Sequence, residues 1–176
     1  VVLLPALWFA APVSITAGLE IDIFDLEAGP ITVFAAASLT GSFTQIGGET
    51  RYRIAALNPT TGAVDPNFRP VPDSRVNAIV TDGRSVYFGG WFSAVGNQPR
   101  GGLAAVDARS GELRPWTPVA DGPVDSMVIS PDGSKVVVGG DFERLNNSSD
   151  PGMGMGSLST ADGSLQPWKG GSTVRN

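Results

Sequence analysis

The sequence contains no cysteine and no histidine, and these two absences exclude much familiar active-site chemistry. The chain has no thiolate nucleophile, no disulfide, no imidazole base and none of the usual zinc ligands. Charge is also scarce, since 16% of the residues are charged and the net charge is -5. An acidic chain without a basic stripe cannot release counterions from a phosphate backbone, so we expect no nucleic-acid partner.

Apolar residues, glycine and proline are abundant in the sequence. Of the 176 residues, 41% are hydrophobic, which is enough for one domain with a real core. The 23 glycines and 14 prolines separate short apolar runs, as turn residues do. Residues 76–116 show the pattern best, because Asp-Gly, Gly-Gly and Ser-Gly divide them into four candidate strands with tight turns.

The same pattern recurs along the chain. Phe43, Phe92 and Phe142 occupy matching places, 49 and then 50 residues apart. A period near 50 residues with four strands per unit is typical of a β-propeller blade. We therefore predict an all-β chain, a partial β-propeller built of repeated four-stranded antiparallel blades. The predicted units are a partial blade 39–68, a blade 76–116 and a blade 124–168, together forming a propeller segment 39–176.

Residues 1–38 depart from the repeat. Their apolar beginning, residues 1–17, ends in small residues, so this segment is either a signal remnant or the first strands of a blade. Two further runs, 19–26 and 31–37, have the alternation of strands. Prolines interrupt the apolar beginning and it is short for a span, so we do not expect a membrane partner.

The predicted second strands, residues 85–92 and 135–142, are apolar on both faces. Such strands are typical of sheets stacked between two neighbours, so we expect Phe92, Trp116, Phe142 and Trp168 to be buried between the sheets. Each contains a Gly-Gly pair, which weakens a strand unless another group approaches the backbone closely. We expect large aromatic side chains of adjacent blades to be those groups.

A family resemblance rests on V-N-A-I-V, V-Y-F-G-G-W-F-S-A-V-G, R-G-G-L-A-A-V-D-A-R-S-G-E-L-R-P-W-T-P and S-P-D-G-S-K-V-V-V-G-G-D-F. Over residues 39–176 the chain resembles the bacterial delta-60-repeat β-propellers, which are kelch-like or WD-like. The resemblance implies a secreted or cell-surface setting and provides no catalytic residues. Residues 31–40, I-T-V-F-A-A-A-S-L-T, resemble the first strand and turn of periplasmic molybdate-binding proteins, where Ser38 would help to hold the oxyanion.

Most acidic residues have a structural explanation. Asp82, Asp132 and Asp162 precede glycine in predicted turns, and Asp107 lies where turns accept backbone hydrogen bonds. The remaining polar residues with a positional argument lie on inner strands or in one loop that lengthens the third unit. These candidate ligand-binding residues are Asn77 and Asp125 on the predicted inner strands, 76–81 and 124–130, and Asn146, Asn147 and Asp150 in the loop 146–152.

These observations favour a non-enzymatic binding or scaffolding segment with a glycan or protein ligand, and they point to no cofactor and no metal. One alternative is a carbohydrate-active propeller enzyme that uses channel carboxylates such as Asp125. Another is a periplasmic oxyanion-binding protein, which depends on residues 31–40 alone.

The repeat count predicts the behaviour of the isolated chain. Closed propellers have about four to eight blades, so uncovered blade faces should bind missing blades or drive self-association. We expect light scattering to show association or aggregation, and a monodisperse monomer that unfolds cooperatively would contradict this.

Overall fold

A computed structural model describes residues 21–24, 33–37, 44–58, 61–149 and 154–167, the first two ranges by their backbone. Every regular element in these ranges is a β-strand, which confirms the predicted all-β class. No helix that could cross a membrane occurs in them. In chain order the strands are β1 (Ile21–Phe24), β2 (Val33–Ala37), β3 (Gln45–Ile46), β4 (Glu49–Thr50), β5 (Ile54–Leu57), β6 (Val76–Thr81), β7 (Ser85–Gly90), β8 (Ala94–Val95), β9 (Gln98–Pro99), β10 (Leu103–Asp107), β11 (Val124–Ile129), β12 (Lys135–Gly140) and β13 (Met155–Ser159).

Nine of these strands form three antiparallel sheets of equal construction. The first sheet has the order β1-β2-β5, the second β6-β7-β10 and the third β11-β12-β13. Short hairpins, β3-β4 and β8-β9, precede the last strand of the first and second sheets. The predicted inner strand 76–81 coincides with β6.

The predicted four-stranded blade is not confirmed, because each sheet has three regular strands. An isolated antiparallel bridge occupies the place of the fourth strand in each sheet, and the bridges are Leu57↔Val64, Val106↔Leu113 and Leu158↔Leu165. Proline follows two residues after each bridge, at Pro66, Pro115 and Pro167. Because proline has no N–H to donate, the ladder cannot extend past it.

The first sheet joins residues from both sides of the predicted boundary at residue 38. β1 and β2 come from the N-terminal segment, and β2 pairs antiparallel with β5, with Ala36 opposite Ile54. Residues 1–20, which carry the alternative of a signal remnant, lie outside the described ranges, as does Ser38. The oxyanion-binding alternative stays a prediction, and β2 lies between two antiparallel neighbours.

The second sheet is buried on both faces. Val86 and Phe88 of β7 belong to the apolar cluster shared with the first sheet, which includes Ile54 of β5. Tyr87, between them, and Leu103 of β10 belong to the cluster shared with the third sheet. Alternate residues of one strand thus face opposite neighbours, as the apolar pattern on both faces predicted.

Large aromatic side chains are buried at the interfaces between neighbouring sheets. Phe92, Trp116 and Phe142 are 2%, 3% and 4% exposed, as the sequence predicted, while Trp168 lies outside the described ranges. The Trp116 indole packs edge-on against the Tyr87 ring at 5.1 Å between centroids. Its Nε1 donates a hydrogen bond of 2.8 Å to the Ser159 carbonyl of the third sheet.

We expect Trp116→Ala to lower the free energy of unfolding by about 3 to 5 kcal/mol, because it empties a packed interface. Trp91→Ala is the matched control, since Trp91 is 57% exposed and its loss should change stability by less than about 1 kcal/mol. Urea unfolding measures both. An equal loss of unfolding free energy in the two variants would mean that Trp116 does not hold the sheets together.

Candidate functional site

The inner strands of the second and third sheets each contain a β-bulge near their first residue. The register of β6 against β7 shifts between Val76 and Ala78, and that of β11 against β12 shifts between Val124 and Ser126. The extra residues are Asn77 and Asp125, the two inner-strand candidates of the sequence analysis. A bulge turns its extra residue out of the regular ladder, which sets the position of both side chains.

The Gly-Gly pairs lie opposite these bulges. A Cβ on Gly90 would be 2.1 Å from the Arg75 carbonyl oxygen, and a Cβ on Gly140 would be 2.2 Å from that of Pro123. No side chain fits at such distances. In the first sheet Ala36 and Ala37 pair with β1 in unbroken register, so the alanine pair accompanies a regular strand and the glycine pairs accompany bulges.

The groups that approach the glycines are not the predicted aromatic side chains. A Cβ on Gly89 would be 2.6 Å from Cγ1 of Val124, on the inner strand of the next sheet. Gly90 is approached by backbone of its own sheet. The expectation of a close approach was therefore right, and in the described ranges the approaching groups are aliphatic side chains, a methionine sulfur, a serine hydroxyl and backbone instead of aromatic rings.

The two bulges bring Asn77 and Asp125 into direct contact across the sheet boundary. Asn77 Nδ2 donates a hydrogen bond of 2.8 Å to Asp125 Oδ1 and a longer one, 3.3 Å, to the Val124 carbonyl. Asn77 is half-buried and Asp125 is exposed. Asn77 Oδ1 and Asp125 Oδ2 have no partner among the described residues, so both can accept hydrogen bonds from a ligand.

Trp91 is a residue that the sequence analysis missed. It follows Gly90 at the end of β7, and its N–H donates a hydrogen bond of 2.8 Å to the Arg75 carbonyl, two residues before Asn77. Its indole is 57% exposed, the same fraction as Val128, and no other large apolar residue in the described ranges is more exposed. The sequence could have indicated this exposure, because the matching residue of the third unit is Asp141, and a charged residue at that place indicates contact with solvent.

The loop candidates Asn146 and Asn147 lie at a hairpin turn, and ligand binding by the loop stays a prediction. Asn146 and Asn147, with φ of 51° and 62°, form the hairpin turn that Gly47 and Gly48 form in the first unit. Asn146 Oδ1 accepts from the Val119 N–H and its Nδ2 donates to the Gly163 carbonyl, both at 2.9 Å. Both polar atoms of the Asn146 side-chain amide thus bond within the fold. Asn147 is exposed, and Asp150 lies outside the described ranges.

The turn aspartates accept backbone hydrogen bonds, as the sequence predicted. Asp82 Oδ1 accepts from the Ser85 N–H at 2.6 Å, and Asp107 and Asp162 make equivalent bonds within their turns. Hydrogen bonds from the Ser130 hydroxyl, first of all, and from Ser134 lower the pKa of Asp132 to about 2. In the described ranges no three acidic side chains gather where they could hold a metal ion.

Two arginines that the sequence analysis did not single out fix the hairpins to the sheets. Arg51 is 1% exposed, and its guanidinium donates to the carbonyls of Thr50 and Asp65, each at 2.7 Å. Arg100 makes the corresponding bonds in the second unit. Loss of hydration lowers the pKa of both guanidinium groups.

We expect Gly90→Ala to destabilise the chain by more than about 2 kcal/mol, because its Cβ excludes the bulge at Asn77. Gly83→Ala is the control: Gly83 has a φ of 82° but nothing lies within 4 Å of its added Cβ, so the cost should be about 1 kcal/mol. Urea midpoints measure both. A Gly90 variant as stable as the Gly83 variant would show that the bulge does not require glycine.

Comparisons with known proteins agree with this architecture. Residues 39–68 match the family model described as a domain of unknown function (DUF5122) beta-propeller. A relative, the polarized growth protein L1 of Phoma sp. (strain ATCC 20986 / MF5453), is 33% identical over 95 residues. The match covers 53% of this chain and 6% of the relative. Together with the stacked antiparallel sheets, these matches support a β-propeller family, and the chain has the fold of a partial β-propeller.

Proposed function

We propose that the chain is a non-enzymatic propeller segment, secreted or at the cell surface, that binds a glycan where the inner strands of the second and third sheets begin. The observation that carries the proposal is the pair formed by Asn77 and Asp125, with Trp91 at the adjoining end of β7. Most of the other candidate side chains in the described ranges make hydrogen bonds within turns.

The chemistry of these three side chains suits a sugar. Asn77 Oδ1 and Asp125 Oδ2 can each accept a hydrogen bond from a hydroxyl group, and sugars present several hydroxyls at close spacing. The exposed indole of Trp91 offers a flat apolar surface with a polar edge, on which the apolar face of a sugar ring can pack. A protein ligand would use the same groups with less need for paired acceptors.

A catalytic role has less support from the same geometry. Glycoside hydrolysis commonly uses two carboxyl groups, one as acid and one as base or nucleophile. The neighbouring inner strands β6 and β11 carry one carboxylate, Asp125, and its partner is an amide. An amide cannot transfer a proton in that reaction, so the pair favours binding.

The setting of the protein is proposed from resemblance. The repeated strings resemble the bacterial delta-60-repeat propellers of secreted and surface-attached proteins, and the match to a β-propeller model is compatible with that finer assignment. The Phoma relative is named for polarized growth, and the chain covers 6% of it, so it supports the proposal only through the shared segment.

A glycan array probed with the full chain tests the proposal. We expect binding to at least one glycan class, with a loss of about 10-fold or more in affinity for Trp91→Ala and Asn77→Ala. Tyr52→Ala is the control, because Tyr52 is an exposed aromatic residue that is not on an inner strand. Binding that survives both site variants would contradict the proposed site.

Two further results would replace the proposal with an alternative. Cleavage of a polysaccharide that is lost in Asp125→Asn would establish the enzyme. Calorimetric binding of molybdate, without binding of any glycan, would establish the oxyanion-binding protein.

A further inference from the structure

The free polar atoms of the pair formed by Asn77 and Asp125 are hydrogen-bond acceptors. Asn77 Nδ2 carries two hydrogens, and it donates to Asp125 Oδ1 at 2.8 Å and to the Val124 carbonyl at 3.3 Å. The Asn77 amide has no further donor, and an ionised carboxylate has none. In the described ranges the pair is therefore left with two acceptors that have no partner, Asn77 Oδ1 and Asp125 Oδ2.

The neighbouring groups fix the orientation of the Asn77 amide. Its nitrogen faces a carboxylate oxygen and a backbone carbonyl, and both of these groups accept hydrogen bonds. Rotation of the amide by half a turn would place Oδ1 against the same two acceptors and would lose both bonds. The pair thus presents acceptors, and not donors, to a ligand.

The charge of Asp125 is not neutralised within the described part of the chain. The ion pairs there involve other acids, namely Arg51–Glu49, Arg69–Glu49 and Arg114–Asp107. Asp125 is exposed, and so is Asp141 at the same end of the third sheet, where its N–H donates to the Pro123 carbonyl at 3.0 Å. This end of the third sheet carries negative charge that a cationic ligand can neutralise.

Arg75 is a positive residue at the same end of the second sheet. It is exposed, lies two residues before Asn77 and takes no part in the ion pairs of the described ranges. Water and salt screen an exposed charge that is not in direct contact with the ligand group. Asp125 is in direct contact with Asn77, so the charge that a ligand meets at the pair is that of Asp125.

An ammonium group matches the pair better than a hydroxyl group does. A hydroxyl donates and accepts, whereas an ammonium is cationic and only donates. Charge-assisted hydrogen bonds are shorter and stronger than neutral ones. Exposed ion pairs usually gain little because flexible side chains must be ordered, but Asp125 is short and is already held by Asn77, which reduces that ordering.

We propose that the ligand of the Asn77–Asp125 pair is an amino sugar, with its ammonium group on Asp125 Oδ2 and a neighbouring hydroxyl on Asn77 Oδ1. An amine and a hydroxyl on adjacent ring carbons present two donors side by side, as the pair presents two acceptors. This inference rests on the proposed glycan site, and it names the class of sugar that the site takes.

A chitin oligosaccharide and its deacetylated form of equal length test the proposal. They differ only in the acetyl group, which removes the positive charge of the nitrogen. Isothermal titration calorimetry of the full chain with each compound gives the ratio of the two affinities. We expect the deacetylated form to bind about 10-fold more tightly, and we expect this preference to shrink as salt is added, because salt screens the ion pair.

Asp125→Asn is the matched variant, because it removes the charge and keeps the shape of the side chain. We expect the ratio of the two affinities to fall to about 1 and to lose its dependence on salt. Arg75→Gln is the control for a charge near the pair, and it should not lower the ratio. Urea midpoints close to that of the natural chain show that both variants fold.

The results that would overturn the proposal also separate it from the proposed function. Equal affinity for the two oligosaccharides, or array binding confined to neutral sugars, would keep the glycan site and remove the amino sugar. Tighter binding of a uronic or sulfated sugar that is lost in Arg75→Gln would assign an anionic ligand. Binding of an oligolysine peptide without binding of any glycan would overturn both proposals, because the ammonium group would then belong to a protein.

Discussion

The absence of side chains at two glycine pairs is the constraint on which the arrangement of the sheets depends. At Gly90 and Gly140 the chain leaves no room for a Cβ beside the carbonyls of Arg75 and Pro123, and a bulge forms opposite each pair. At Gly89 the same lack of a side chain admits Val124 of the next inner strand. The Gly89–Gly90 pair thus permits the bulge in its own sheet and the close packing of the neighbouring sheet.

Scarcity of charge follows from the way the sheets stack. A strand such as β7 is buried on both faces, so ionised side chains have no place on it. In the buried part of this boundary, polar bonds come from groups at the ends of largely apolar side chains: the Tyr87 hydroxyl donates to the Thr160 carbonyl at 3.2 Å, and the Trp116 indole to that of Ser159. Asp82, Asp107, Asp132 and Asp162 lie at turns, and Asp125 lies at the beginning of β11.

The sequence predicted the strands better than the contacts between them. β6 was predicted to the residue because Asp82 and Gly83 form a turn that local preferences determine. The predicted fourth strands were not confirmed, because an apolar residue two positions before proline has the pattern of a strand but cannot continue a ladder past the proline. The hairpin turn at Asn146 and Asn147 was not predicted, although asparagine, like glycine, accepts positive φ in a turn. Trp91 was counted as a strand residue, since periodicity cannot show which aromatic side chain meets solvent.

A double-mutant cycle on Asn77 and Asp125 tests the central claim most directly. If the glycine-dependent bulges join the second and third sheets through this hydrogen bond, Asn77→Ala and Asp125→Ala will not be additive: the double variant will lose less unfolding free energy than the two single losses together. Additive losses in the cycle would contradict the account, because they would show that the two side chains do not interact in the folded chain.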